Sequence, residues 1–199
     1  MHIDKVSEYR KSIRFELIRA NFAFDEFILL AGKFINAELD SSNTLAKIKI
    51  FDAYARWCGH LYESLLALVI IEEQNQISED SKSDVIDIEI QREAEKSLNR
   101  YNVLIRAGKF SEAGNITPVL HPSFSSDLRK VRNKCSFHCT NNRVKSDILQ
   151  EFLNKHHQIA FNLFSEFYGK FGSLNTECNN DLGAINQFFE SSKNTVKKN

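Results

Sequence analysis

Phe51-Asp52-Ala53-Tyr54-Ala55-Arg56-Trp57-Cys58-Gly59-His60-Leu61-Tyr62-Glu63-Ser64-Leu65-Leu66-Ala67-Leu68 carries the most regular pattern in this 199-residue chain. Phe51, Tyr54, Cys58, Leu61, Leu65 and Leu68 alternate steps of three and four. On a helix that spacing makes one seam, of the kind that packs in an antiparallel bundle. The pattern predicts a helix over about residues 44–74, capped at its start by Ser42 or Asn43. Beside the seam runs a polar line, Asp52, Arg56, Gly59 and Glu63. Asp52 and Arg56 form an i,i+4 pair, and His60 and Glu63 an i,i+3 pair.

Toward the N-terminus, Val6, Ile13, Leu17, Ala20, Phe24, Phe27, Ala31 and Phe34 recur at helical steps and predict a long helix over about residues 3–39. Phe15, Ile18, Phe22 and Leu29 widen its apolar stripe, which predicts burial against two neighbours.

Toward the C-terminus, residues 72–95 hold nine acids against Lys82 and Arg92. A third helix, capped by Ser81 or Ser83, runs to about residue 105 on Ile86, Ile90, Ala94, Ser97 and Tyr101. Its acids form a solvated face, or a docking surface for a basic partner or the basic segment downstream. Residues 107–123 form the main loop, with Gly108, Gly114, Pro118 and Pro122. Ser125 or Ser126 caps the next helix, with Asp127 in its first turn. A fifth helix covers about residues 145–171 on Leu149, Phe152, His156, Ile159, Leu163 and Phe167, closed by Gly169 and Gly172. A short helix on Leu182, Ile185, Phe188 and Phe189 follows, and then a polar, basic tail.

The fold class expected is therefore all-α: an antiparallel up-and-down helical bundle of about five long helices plus a short C-terminal helix. The bundle spans residues 1–172. Residues 173–199 carry the loop, the short helix and the frayed tail. Two prolines and seven glycines leave too little punctuation for a many-turned sandwich or barrel. The first residues are polar, and the longest apolar run, from Leu65 to Ile71, is about a third of a membrane span. A cytoplasmic protein with reduced cysteines and no membrane partner is expected.

Twenty-six basic residues balance 26 acidic ones, so only local charge speaks for a polyanion. That local charge lies at residues 123–145, where Arg129, Lys130, Arg132, Lys134, Arg143 and Lys145 face Asp127 alone. Arg132-Asn133 followed by His138 in this segment resembles the R-x(4–6)-H motif of HEPN domains, including the polar residue those proteins often carry after the Arg. The resemblance implies a homodimer whose cleft is lined by both Arg and both His, acting as a metal-independent endoribonuclease of a toxin–antitoxin or phage-defence kind. Arg132 would hold the scissile phosphate, His138 would move a proton and Asn133 would orient one of them. Arg129, Lys130, Lys134 and Arg143 would bind the RNA backbone, and Glu63 or His60 would tune His138. RNA ends as 2′,3′-cyclic phosphate and 5′-hydroxyl are expected, with no metal or other cofactor. An antitoxin or regulatory protein is a further expected partner. Thr140 departs from the Tyr that nucleotidyltransferase-modified HEPN toxins tend to carry two residues after the His.

Three other readings stay open. Phe124, Leu128, Val131, Cys135 and His138 fall within about 80° on a helical wheel, so His138 continues an apolar stripe as a core histidine would. Cys135, His138 and Cys139 form a C-x-x-H-C pattern, although zinc sites usually draw ligands from paired knuckles. A HEPN-like scaffold that binds nucleic acid or protein without cutting is the alternative function. On a straight helix Arg132 and His138 point about 120° apart, so a shared phosphate needs a bend or a second copy.

Overall fold

A computed structural model of the chain describes residues 3–40, 42–72, 77–107, 119–136, 147–172 and 187–188. Among them are five helices, α1 (Ile3–Ile35), α2 (Thr44–Glu72), α3 (Ser83–Arg106), α4 (Phe124–Val131) and α5 (Ile148–Phe171), with a π-helical turn at Arg132–Ser136. The protein is an all-α bundle. The proposed C-terminal helix and tail fall almost wholly outside the described residues.

Helix α2 is the centre because its seam is apolar on more than one side. Tyr54, Cys58, Leu61, Leu65 and Leu68 are buried, Phe51 is half-buried, and Ala53, Ala55 and Trp57 are buried beside them. Asn43 caps it, its side-chain oxygen accepting the Ala46 amide at 3.0 Å. On α1, Ile13, Leu17, Ala20 and Ala23 close over this seam. The two helices are antiparallel, since Arg56 reaches back to Glu26 and the later His60 to the earlier Glu16. Helix α5 also runs antiparallel to α1: Phe24 meets Phe161, while Arg14 donates to the Phe171 carbonyl. Phe24, Tyr54, Trp57, His157 and Phe164 join the three helices in one aromatic cluster. Truncating a fully buried ring such as Trp57 costs about 3–5 kcal/mol in such a core.

Helix α1 stops at Ile35, four residues before the expected end. Ala37 adopts a left-handed conformation with φ 56°. The Glu38 amide then bonds the Lys33 carbonyl at 2.8 Å and the Ala37 amide that of Phe34 at 3.1 Å, a Schellman turn built on alanine. Helix α1 packs against two neighbours, α2 and α5, as expected, but Phe22 and Leu29 take no part in that burial: Phe22 is 66% and Leu29 60% exposed.

Two caps also differ from expectation. Lys82 precedes α3 and makes no side-chain cap, because Ser81 closes the preceding turn onto the Ser78 amide at 2.9 Å. Ser123, not Ser125 or Ser126, is the residue before α4. The Ser125 amide bonds Gln91 on α3 instead, and the Ser126 hydroxyl donates back to the Ser123 carbonyl. At the far end of α5, Gly172 leaves room for the Tyr168 ring, which a Cβ there would strike.

Candidate functional site

The basic segment is locked down at both ends of α4 before it reaches Arg132. Asp87, buried on the acidic helix α3, takes Arg129 in a bidentate pair at 2.8–3.0 Å. The acidic stretch thus docks the basic one inside the chain. At the start of α4, Asp127 accepts from Ser123 at 2.6 Å, Lys130 at 2.8 Å and His156 at 3.0 Å. Burial pushes the Asp127 carboxyl up, but these hydrogen bonds outweigh it and hold it below the usual carboxylate range. Burial pushes His156 down, against the pull of Asp127. Two of the residues expected to bind RNA, Arg129 and Lys130, therefore make ion pairs within the chain. Lys134 is exposed.

Phe124, Leu128, Val131 and Cys135 are buried, so the apolar stripe of this segment holds α4 against the bundle. At Arg132 the chain widens into the π turn. Such turns are rare and often sit at functional sites. They also change the angular step along the residues they contain, here Arg132–Ser136.

The π turn presents Arg132 to α2. Its Nε donates to Glu63 Oε1 at 2.6 Å, and its Nη1 to Asn133 Oδ1 at 2.9 Å. Its Cζ lies 5.9 Å from the centre of the Tyr62 ring. The Tyr62 hydroxyl is pushed up to about 12, by burial first and then by the nearby Asp87 carboxylate. Arg132, Asn133 and Glu63 are thus brought together as one unit. His60 stands one turn away, buried, and contacts Glu16 on α1 at 2.6 Å rather than Glu63. Glu16 in turn accepts from Arg19 at 3.2 Å.

These side chains border a cleft of about 570 Å³ between α1, α2 and the π turn, lined among others by Tyr9, Glu16, Arg19, Glu63, Glu79 and Arg132. Tyr9 closes one end by donating to Glu79 at 2.9 Å. Burial and Glu79 both raise the Tyr9 hydroxyl. Sequence reasoning missed this wall. Its signal was present, because Tyr9, Ser12, Glu16 and Arg19 follow steps of three and four beside the apolar stripe.

His138 and Arg143 lie outside the described residues, as do Cys139 and Thr140. Of the C-x-x-H-C pattern only Cys135 is described, and it is buried. Among the described residues no group of three or more His, Cys, Asp and Glu is placed to hold a metal ion, and no helix is long and apolar enough to cross a membrane. Compared with family models, curated proteins and solved structures, the chain matches none.

Proposed function

We propose that this chain is a metal-independent endoribonuclease of HEPN type. It acts as a homodimer with a composite Arg/His site, in a toxin–antitoxin or phage-defence setting. The observation that carries this reading is Arg132. Its guanidinium is set at the wall of a cleft by a π turn and oriented by Glu63, Asn133 and the Tyr62 face. A preoriented guanidinium of this kind suits a phosphate whose charge grows in the transition state.

In the proposed reaction the RNA 2′-hydroxyl attacks the adjacent phosphorus and the bond to the 5′-oxygen breaks. The proton leaves the 2′-oxygen and one is returned to the 5′-oxygen, with His138 in the transfer. The products are a 2′,3′-cyclic phosphate and a 5′-hydroxyl, and the nucleophile belongs to the RNA. Arg132 neutralises the phosphoryl oxygens, and Asn133 fixes the guanidinium plane. His138→Ala tests the reading: cleavage and any growth toxicity vanish while the melting point stays unchanged. Loss of the fold would instead assign His138 to the core.

One observation favours the second reading, a non-catalytic HEPN-like scaffold that binds a nucleic acid or protein partner. Glu16, Glu63 and Glu79 outnumber Arg19 and Arg132 on the cleft wall, which suits a basic side chain of a partner protein. An intact RNA substrate, with partner binding lost in Glu16→Ala, would support it.

A further inference from the structure

Phe15, Phe22 and Leu29 stand 37%, 66% and 60% exposed on α1. They are spaced by sevens, and on an α-helix fall within an arc of about 40°. Three large apolar side chains in one exposed line are more than the scattered apolar residues of an ordinary surface. Arg19 borders the line on one edge, its guanidinium 5.4 Å from the Phe15 ring centre, and Glu26 borders the same edge.

We infer that α1 pairs with α1 of a second copy of this chain, antiparallel, about a two-fold axis at Phe22. The line is symmetric about that residue. In such a pair Phe22 meets Phe22 of the second copy, and Phe15 meets Leu29. Like edges of the line also face one another, so Arg19 stands opposite Glu26 of the second copy, and Glu26 opposite Arg19. Within the chain Arg19 also pairs with Glu16 and Glu26 with Arg56, so each cross-pair adds to an ion pair already made, and the rim is self-complementary twice over. The acids on this rim suit that partner better than an anionic lipid surface.

The pairing deepens the dimeric nuclease reading, and rests on it only for what the clefts do. Tyr9, Ser12, Glu16 and Arg19 turn away from the line toward the Arg19 edge. The two-fold maps that edge onto its own side, so both clefts open on one face of the dimer. With helices about 8–10 Å apart, the two Arg19 side chains start within about 15 Å of each other across the seam. The exposed apolar area, on the order of 300 Å² per copy, sets the affinity in the weak class of interfaces.

The test uses the full chain without RNA. Sedimentation of the wild type up to about 100 µM gives reversible dimers, and Phe22→Glu, with its helical melting retained, weakens dimerisation at least about tenfold. Phe22→Cys forms a 22-to-22 disulfide on mild oxidation, identified by peptide mass, whereas Ser165→Cys on α5 forms none. A monomeric wild type, an unaffected Phe22→Glu dimer or a missing 22-to-22 link overturns the inference. An unaffected Phe22→Glu dimer that still cleaves RNA overturns this surface and leaves the nuclease reading standing.

Discussion

Arg132 on the π turn and Glu63 on α2, 69 residues apart in sequence, are joined at 2.6 Å from Nε to Oε1. The pair is about a third exposed on each side. Water screens it, so its role is orientation more than stability. An entering phosphate would share the guanidinium with this carboxylate and meet its negative charge.

Glu63→Gln keeps an acceptor beside Arg132 and removes the charge. The expected result is single-stranded RNA binding several-fold tighter, with a steeper salt dependence, measured by fluorescence anisotropy over a series of salt concentrations. Unchanged affinity in Glu63→Gln would mean that phosphate does not approach Arg132.

The Arg129–Asp87 pair is better enclosed, with side-chain exposures of 27% and 12%. Asp87→Ala leaves the guanidinium without its carboxylate and is expected to cost about 2 kcal/mol in denaturant unfolding. Asp84→Ala on the exposed first turn of the same helix is expected to cost under about 0.5 kcal/mol. Equal effects would show that the acidic helix does not anchor the basic one.

The alanine-built turn after α1 gives a backbone prediction. Ala37 sits at φ 56°, which costs an L-residue roughly 1 kcal/mol or more that glycine avoids. Ala37→Gly is expected to raise stability by about 0.5–1 kcal/mol, about 1–4 °C in Tm. A lower Tm would contradict the Schellman geometry.

How far the fold could be read in advance follows from what periodicity reports. The seam through Tyr54, Cys58, Leu61, Leu65 and Leu68 was legible because burial on one helix face repeats locally in sequence. The line Phe15, Phe22 and Leu29 has the same periodicity, yet it lies on the outside; a pattern of apolar residues does not say whose surface covers them. The start of α4 after Ser123 was hidden because His121 and Gln91 hold the turn, and Gln91 lies a helix away. At the site, Arg132, Asn133 and Glu63 were named from motif and polar line. That Glu63 binds Arg132, and that His60 turns to Glu16, depends on the antiparallel register of helices that no local pattern encodes.

Burial lowers His157 and, with the opposing pull of Asp127, His156. The unfolded chain then binds more protons than the folded one just below the ordinary histidine value of 6.5. Stability is therefore full above that value and falls as the pH drops through the lowered folded values. The lowered Asp127 carboxyl adds a second loss at lower pH, beginning near its ordinary value of 3.8. His157→Phe is expected to flatten the fall below neutrality in thermal melts, and Asp127→Asn to flatten the acid limb while steepening the histidine limb, because His156 loses the pull that opposes its burial. A wild type that gains stability between pH 7 and 5 would contradict both burials.

The most direct test of the central claim reads the ends of cut RNA. A synthetic oligoribonucleotide is incubated with the wild type, Arg132→Ala and His138→Ala in excess chelator, and the products are followed by phosphorus NMR and mass. The account predicts 2′,3′-cyclic phosphate and 5′-hydroxyl ends from the wild type, and an intact strand with either variant whose melting point is unchanged. Intact RNA with the wild type, or equal cleavage by the variants, would contradict it.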